Sequence, residues 1–301
     1  MSRLVIQHPA LIDAAVEAFS AAVGRQPSEH HAGALAAWTD VTLASNEVTR
    51  LAERFAVDAE IVPARASLSD YKLIAFDMDS TLITIECVDE IADYAGRKAE
   101  VAAITEAAMR GEIADYNESL RRRVALLEGL PQEVLQRVYD ERIVLSPGTE
   151  RLLAACKQAG LQSLVVSGGF TFFTDRLRER LGLDYSRANT LEIIDGRLTG
   201  RLVGEIVNAD VKKQTVEQTC ARIGCSPSQA IVVGDGANDL KMMSIAGISV
   251  AYRAKPIVRS ETTHGITHCG LDAILGFFAE SPSSQGTGQA LSVDSGPGKA
   301  R

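Results

Sequence analysis

Residues 72–81 read KLIAFDMDST, an apolar run that leads directly into two carboxylates, Asp77 and Asp79. Like charges this close repel each other, and Asp is a poor strand residue, so a partner or water has to offset the cost. A surface turn is the ordinary interpretation, because Asp and Ser are common turn formers. The rest of the chain decides between a turn and a functional site.

Two further apolar runs of the same kind lie within LQSLVVSGG (161–169) and AIVVGDG (230–236). Unbroken apolar runs are typical of strands buried on both faces, as in a parallel sheet covered by helices. Helical segments that end near Gly160, Gly182 and Gly247 alternate with these strands. The pattern predicts an α/β fold, a Rossmann-like parallel sheet with flanking helices.

The chain also divides into segments of different character. Residues 86–145 have a helical pattern throughout, which predicts a helical-bundle cap inserted after the first core strand. The core itself is expected in residues 71–85 and 146–280. Residues 1–70 are interpreted as a small N-terminal α/β unit, regulatory or structural. The Ser- and Gly-rich tail, 281–301, cannot bury enough apolar surface and is expected to be disordered.

Two local signals predict particular turns and helix ends. Asp195-Gly196 between two strand-like runs predicts a β-hairpin. Asp115 and Glu118 have the spacing of a capping box, which predicts that a cap helix begins near Tyr116.

The composition is that of a globular protein with a sizeable core. The chain has 301 residues, of which 46% are hydrophobic and 23% charged, and its net charge is −8. This charge argues against a surface that binds nucleic acid or an anionic membrane. No apolar run approaches the roughly 20 residues that cross a bilayer, and the N-terminus has no clean signal-peptide pattern. A cytoplasmic protein is therefore expected, and a small anionic substrate requires positive charge concentrated locally.

The cysteines and histidines give no convincing metal site. The five cysteines form no C-x-x-C pair, and their odd number suits a reducing compartment. A zinc site of Cys220 and Cys225 with His264 and His268 can be drawn, but its spacing fits no established pattern. Buried, inert thiols are the expected state.

The polar turns after the three apolar strands meet at the carboxyl edge of the predicted sheet, where open α/β folds bind ligands. Converging carboxylates are a ligand set for Mg²⁺, and a hydroxyl followed by two glycines at a helix N-terminus cradles phosphate. The chemistry predicted is phosphoryl transfer, which needs positioning and charge neutralisation. The residues of these turns, with one lysine from NADVKKQT, are Asp77, Asp79, Ser167, Gly168, Gly169, Lys212, Asp235, Asn238 and Asp239.

The sequence at this point resembles a known family. DMDST, SGG, the lysine of VKKQT and GDGAND resemble the four motifs of the haloacid-dehalogenase-like phosphatases. Within that superfamily, ECVDEIA, AMRG, SLRRRVALL and LGLDYSRANTLEIIDGRLTG are similar to the branch that hydrolyses phosphoserine. The resemblance covers about residues 71–275. It implies Mg²⁺-dependent hydrolysis of O-phospho-L-serine to L-serine and phosphate through an aspartyl phosphate, the last step of serine biosynthesis.

The resemblance also implies the roles of the acidic residues. Asp77 is expected to attack phosphorus, and Asp79 to protonate the leaving serine oxygen and then to deprotonate the attacking water. The metal is expected to bind the Asp77 and Asp235 carboxylates and the Asp79 backbone carbonyl. Asp239 is expected to support the metal shell.

The phosphoryl oxygens are expected to contact Ser167, Gly168 and Lys212, with Gly169 supporting this loop. Asn238 is expected to help place substrate or water. The neighbouring Lys213 is a rival for the lysine role, although the register of the K-x-x-x-apolar pattern favours Lys212.

Two residues are expected to recognise the serine part of the substrate. Glu86 begins the helical insertion and would pair with the ammonium, although a helix-terminal charge is an alternative role. Arg123 lies on the flank of an apolar helical stripe and either extends to solvent or faces a cleft with its bidentate fork. The resemblance favours the second role, in which Arg123 binds the substrate carboxylate.

Several points remain open at the level of sequence. The same catalytic motifs would serve an enzyme that acts on another phosphorylated amino acid or alcohol. Residues 1–70 are open to interpretation as an amino-acid-sensing or dimerisation module, so a homodimer is not decided. One extra residue in EIADYN, relative to the family pattern, leaves roles for Met109 and Tyr116 undefined.

Overall fold

The structure is a computed structural model that describes residues 1–110, 112–113 and 115–278. The predicted disordered tail, 281–301, lies outside the described residues, as do positions 111 and 114 of the cap, the second of which belongs to the loop whose alignment was open.

Strands and helices alternate along most of the described chain. The strands are β1 (Ser2–Leu11), β2 (Glu29–His31), β3 (Gly33–Thr39), β4 (Asp58–Pro63), β5 (Leu73–Phe76), β6 (Gln162–Phe170), β7 (Tyr185–Ile194), β8 (Arg197–Val203), β9 (Ala230–Gly234), β10 (Ile248–Tyr252) and β11 (His264–Ile266). The helices are α1 (Asp13–Val23), α2 (Ser45–Phe55), α3 (Cys87–Tyr94), α4 (Lys98–Met109), α5 (Tyr116–Ala125), α6 (Glu133–Arg142), α7 (Thr149–Gln158), α8 (Thr171–Leu181), α9 (Ala209–Ile223), α10 (Leu240–Met243) and α11 (Pro256–Ser260).

The larger sheet has the order β11-β10-β9-β5-β6-β7-β8. Its neighbours are parallel, apart from the antiparallel pair β7–β8. Strands β5 and β9 are buried along their whole length, as their unbroken apolar sequences predict. The predicted Rossmann-like parallel sheet is confirmed, and β5 lies at its centre.

The cap consists of α3–α6, between β5 and α7, and its predicted helical character is confirmed. Helix α5 begins at Tyr116 as predicted, because the Asp115 carboxylate accepts a hydrogen bond from the Asn117 backbone N–H at 2.9 Å. The Glu118 carboxylate, the other member of the capping-box spacing, accepts a hydrogen bond from Arg122 Nε, one turn along the helix, at 2.7 Å.

The hairpin of β7 and β8 is also confirmed. Its two turn residues, Asp195 and Gly196, have φ of 49° and 73°, the left-handed values that tight hairpins use. The segment after α5 binds this hairpin, because the Gly129 N–H donates to the Leu198 carbonyl at 2.8 Å. The cap is therefore tied to the outer strand of the sheet.

One predicted helix is much shorter than expected. The sequence ANDLKMMSIAG predicts a helix up to Gly247, whereas the structure has a single 3-10 turn followed by the four-residue α10. The Gly247 N–H donates to the Ala230 carbonyl at 3.1 Å, which draws the chain back to the sheet before the helix can continue.

The smaller sheet is antiparallel, with the order β2-β3-β1-β4. One face packs on α1 and α2 through side chains such as Leu4 and Ile6. The opposite face contributes Val5 and Val62 to the apolar cluster that contains Ile266 of the larger sheet. The small sheet is therefore buried on both faces, while the domain boundaries drawn from the sequence remain a prediction. Among the described residues, no helix combines the length and apolar character needed to cross a membrane.

Candidate active site

A cavity of about 750 Å³ opens at the carboxyl ends of β5, β6 and β9, below the cap. Most residues predicted from the separate turns line it, so the structure brings together groups that are far apart in sequence. The predicted residues in its lining are Asp77, Asp79, Glu86, Arg123, Ser167, Gly168, Gly169, Asp235 and Asn238. The remaining two, Lys212 and Asp239, lie directly behind them and are fully buried.

Lys212, on the first turn of α9, holds two of the carboxylates. Its Nζ donates to Asp77 Oδ1 at 2.7 Å and to Asp239 Oδ1 at 2.6 Å. Burial alone would lower the pKa of the Lys212 ammonium, but the Asp239 and Asp77 carboxylates more than offset it and the pKa is raised. The Lys213 side chain is 41% exposed and its Nζ lies 3.8 Å from Glu217 Oε1, so of the two adjacent lysines Lys212 is the one that contacts Asp77 and Asp239.

The backbone places Asp77 beside the end of β9. The Asp77 N–H donates to the Val233 carbonyl at 2.9 Å, which continues the pairing of β5 and β9 by one residue. Carboxylate oxygens of Asp77, Asp235 and Asp239 consequently lie within 4.8 Å of one another. Hard oxygen donors in such a cluster fit a divalent cation.

The electrostatics of the cluster show why it suits a cation. Burial raises the pKa of Asp77 well above its usual range, and the Asp239 carboxylate raises it further. Burial likewise raises the pKa of Asp235 to about 7, again with a contribution from Asp239. One ammonium therefore faces three carboxylates, and a bound cation would offset the remaining repulsion.

Hydrogen bonds to both carboxylate oxygens fix Asp239 beside Asp77 and Asp235. Its second carboxylate oxygen, Oδ2, accepts the Gly236 N–H at 3.0 Å, while Oδ1 accepts from Lys212. The Thr81 hydroxyl donates to Asp235 Oδ1 at 3.0 Å and orients that carboxylate from the β5 side. Thr81 was not identified from the sequence as a site residue.

The irregular turn after Asp77 directs Asp79 and Glu86 into the cavity. Ser80 has a φ of 56°, and its hydroxyl donates to Glu86 Oε1 at 2.8 Å. Burial raises the pKa of Asp79 to about 8, with a smaller contribution from the Glu86 charge. The Cys87 N–H donates to Asp79 Oδ1 at 3.4 Å, so the start of α3 fixes the position of this carboxyl group.

The loop after β6 is shaped by two glycines. Ser167 is fully buried, and its Oγ accepts the Gly169 N–H at 2.8 Å. A Cβ atom on Gly168 would lie 2.1 Å from the Tyr116 hydroxyl oxygen, and one on Gly169 would lie 2.7 Å from Met78 Cε. Only glycine allows the cap and the β5 turn to approach this loop so closely.

Arg123 has an unsatisfied donor next to the cavity. Its Nε is buried and has no hydrogen-bond partner among the described residues. Burial raises the pKa of Glu86, and the Arg123 guanidinium partly counteracts that rise. An anion, Glu86, and a cation, Arg123, thus line one cavity.

Part of the cavity wall was not identified from the sequence. Tyr116 lines it from the cap, and Arg253, Lys255 and Ile257 line it from the segment after β10. The strand sequence ISVAY is another short apolar run, and β10 pairs in parallel with β9. Its carboxyl end therefore lies at the same edge of the sheet, and this is the signal that would have located the segment.

The chain is similar to known proteins over this whole region. Residues 74–244 match the family model of haloacid dehalogenase-like hydrolases. A phosphoserine phosphatase of Polaromonas sp. is 63% identical over 212 residues, which cover 69% of this chain and 90% of the relative.

Two solved structures extend the likeness to the fold. The unliganded structure of a probable phosphoserine phosphatase from Vibrio cholerae aligns with a TM-score of 0.80 and 36% identity, over 92% of this chain and 85% of that one. A substrate-bound phosphoserine phosphatase complex aligns with a TM-score of 0.65 and 39% identity, over 69% of this chain and 99% of that one. The match to the family model and the highly identical relative together show that the chain belongs to the haloacid dehalogenase-like hydrolases.

Proposed function

We propose that this chain is a Mg²⁺-dependent phosphatase that hydrolyses O-phospho-L-serine to L-serine and phosphate, the last step of serine biosynthesis. The high identity to a phosphoserine phosphatase supports the reaction. The observation that carries the substrate choice is the buried Arg123 Nε, which has no partner among the described residues and lines the same cavity as Asp77 and Glu86.

The chemistry uses two carboxyl groups in sequence. An Asp77 carboxylate oxygen attacks phosphorus, the bond from phosphorus to the serine oxygen breaks, and Asp79 donates a proton to that oxygen. Water then attacks the aspartyl phosphate and passes a proton to Asp79. Phosphate leaves, and both carboxyl groups return to their initial state.

The site binds the phosphoryl group through positive and polar groups. Lys212 contributes its ammonium, and Ser167 and Gly168 contribute a hydroxyl and a backbone N–H. Mg²⁺ would be held by the Asp77 and Asp235 carboxylates and the Asp79 backbone carbonyl, and when bound it would neutralise charge on the phosphoryl oxygens. Asp239 and Gly169 support these groups, and Asn238 helps to place substrate or water.

The serine part of the substrate is recognised by opposite charges. Glu86 binds the ammonium, and the Arg123 fork binds the carboxylate. Both charges are needed because phosphate alone would not distinguish phosphoserine from other phosphate esters. Leaving the buried Nε of Arg123 without a partner is costly, which makes the Glu86–Arg123 pair a filter for α-amino acids.

The reaction is tested by phosphate release from phosphoserine. The parent protein is expected to turn over with Mg²⁺, and Asp77→Asn is expected to be inactive while it keeps its circular dichroism spectrum. Full activity of the folded Asp77→Asn variant would exclude Asp77 as the nucleophile.

Substrate recognition is tested with phosphoethanolamine, which lacks the carboxylate. Arg123→Met is expected to reduce kcat/KM for phosphoserine by roughly 10- to 100-fold and to leave phosphoethanolamine turnover nearly unchanged. Arg121→Met, an exposed position on the same helix, is the matched control. If phosphoserine is a poor substrate for the parent compared with other phosphate esters, an enzyme for another phosphorylated compound is favoured.

The cytoplasmic location and the oligomeric state remain predictions from the sequence. Sedimentation of the purified chain would decide between a monomer and a homodimer.

A further inference from the structure

The cavity has one wall that belongs to none of the four motifs. Residues 253–260, here called the wall segment, follow β10 and include α11. Arg253, Lys255, Ile257 and Val258 from this segment line the cavity. Two of these side chains are cations, so the wall adds positive charge to a cavity whose substrate is an anion.

The wall segment is attached on its other side to the small N-terminal sheet. Arg259 Nη2 lies 2.6 Å from Oε1 of Glu60, on β4. Glu60 is 7% exposed, and its carboxylate also accepts the Gly265 N–H at 2.9 Å and contacts His264 Nδ1 at 3.1 Å. One buried carboxylate therefore joins β4, β11 and the wall segment.

The path of the Arg259 side chain depends on a glycine. A Cβ atom on Gly265 would lie 2.2 Å from both Cδ and Nε of Arg259. The guanidinium reaches Glu60 only because it passes directly over the Gly265 backbone. The contact therefore joins the buried Glu60 carboxylate to a partly exposed guanidinium whose path is fixed by its close approach to Gly265.

Glu60 is itself fixed, because the small sheet binds the core at several points. The Asp58 carboxylate accepts three successive backbone N–H groups, those of Thr267, His268 and Cys269, at 2.7 to 3.2 Å. Arg3 Nη1 donates to the Gly276 carbonyl at 2.7 Å. These bonds satisfy backbone groups beside the edge strand β11, so the small sheet covers that edge.

We propose that Glu60 is a positioning residue for substrate binding, which acts through Arg259 to hold the wall segment against the cavity. The inference rests on the proposed function, since it assigns the wall to binding of the phosphorylated substrate. It gives residues 1–63 an indirect part in shaping the cavity, through the contact of Glu60 with Arg259. Loss of the contact loosens Arg253 and Lys255, which weakens binding without removing a reacting group.

The test compares KM and kcat for phosphoserine in the full chain. Arg259→Met keeps the packing of the side-chain stem over Gly265 but removes the charge, and it is expected to raise KM roughly 3- to 10-fold with kcat within about twofold. Gly265→Ala displaces the Arg259 side chain without removing any charge and is expected to do the same. Arg259→Lys keeps a cation within reach of Glu60 and is expected to restore most of the parental KM.

Two controls separate positioning from general stability. Glu29→Gln removes the charge that Glu29 presents to Arg3, in a contact that does not involve the wall segment, and should keep the parental KM. Val48→Ala shortens a buried side chain of α2, on the face of the small sheet that packs away from the larger sheet, and should lower the melting temperature with KM unchanged.

The outcomes distinguish the two proposals. An active parent with unchanged KM in Arg259→Met and Gly265→Ala overturns the role of Glu60 and leaves the proposed function in place. An equal rise of KM in Val48→Ala also overturns it, since the effect would then follow from stability alone. A parent that does not hydrolyse phosphoserine contradicts the proposed function and, with it, this inference.

Discussion

The ammonium nitrogen of Lys212 lies 2.7 Å from Oδ1 of Asp77, although 135 positions separate the two residues in the chain. Asp77 follows the central strand β5, and Lys212 belongs to α9, so the contact forms only when the helix packs against the carboxyl edge of the sheet. The same ammonium binds Asp239 at 2.6 Å and holds two like charges together. Positioning of the proposed nucleophile therefore depends on the completed fold.

Removal of this ammonium is expected to affect both catalysis and stability. Lys212→Met should reduce kcat/KM for phosphoserine at least 100-fold, because loss of a group that stabilises transition-state charge commonly costs about 10²- to 10³-fold. It should also lower the free energy of unfolding by about 3 kcal/mol, since two buried carboxylates lose their partner. Steady-state kinetics and urea unfolding measure the two effects.

Lys213→Met is the matched control for this change. Lys213 is 41% exposed and its contact with Glu217 spans 3.8 Å, so its removal should change kcat/KM less than twofold. Equal losses in the two variants would show that the adjacent lysines had been assigned incorrectly.

The carboxylate cluster leads to a prediction about metal dependence. EDTA should abolish phosphate release, and Mg²⁺ should restore it. Thr81 donates to Asp235 Oδ1 at 3.0 Å, so Thr81→Val should raise the Mg²⁺ concentration for half-maximal activity roughly 10-fold, with kcat at saturating Mg²⁺ nearly unchanged.

The control for the metal prediction is Thr84→Val. The Thr84 hydroxyl donates to the Val144 carbonyl at 3.3 Å and is exposed, so its loss should leave the Mg²⁺ titration as in the parent. Full activity of the parent after exhaustive chelation would contradict metal dependence altogether.

The close approach of cap and core leads to a prediction that one substitution is rescued by another. Gly168→Ala would place a Cβ atom 2.1 Å from the Tyr116 hydroxyl oxygen but 3.4 Å from Tyr116 Cζ. The single variant should therefore lose roughly 10- to 100-fold in kcat/KM, because displacement of the loop proposed to bind phosphate by a fraction of an ångström would disturb the geometry of attack. The double variant Gly168→Ala/Tyr116→Phe removes the clashing oxygen and should recover most of that loss.

Tyr116→Phe alone is the reference for this comparison. Recovery is measured as the ratio of kcat/KM between the double variant and Tyr116→Phe, which should lie within about fivefold of unity if steric conflict is the cause. A double variant as impaired as Gly168→Ala would show that the added methyl group acts in another way.

The sequence was sufficient to predict strands and the residues that follow them where an apolar run ends in polar or charged side chains. The apolar runs before Asp77, Ser167 and Asp235 predict buried parallel strands, and the ends of such strands share one edge of the sheet. The sequence favoured Lys212 over Lys213 but did not decide between them. Adjacent residues of a helix point in directions about 100° apart, so the choice depends on which face of the helix packs against the sheet.

The wall segment and its anchor could not be derived in the same way. Arg259 and Glu60 are 199 positions apart, and neither belongs to a motif. Asp58 and Glu60 in a strand are ordinarily interpreted as solvent-facing charges, whereas the docked sheet buries both. Contacts that depend on how two sheets meet leave no periodic signal in either segment.

Asp58 should be among the residues that most stabilise the attachment of the small sheet. Its carboxylate accepts three backbone N–H groups at 2.7 to 3.2 Å and is 7% exposed, so Asp58→Asn replaces an acceptor by an amide nitrogen that cannot accept. The free energy of unfolding is expected to fall by about 2 to 3 kcal/mol, the range for hydrogen bonds to a buried charged group.

Asp13→Asn, at an exposed position in the first turn of α1, should cost less than about 1 kcal/mol, the upper range for a charge near a helix N-terminus. Urea titrations followed by circular dichroism give both values, and a loss no larger for Asp58 than for Asp13 would mean that the three N–H bonds contribute little to holding the two sheets together.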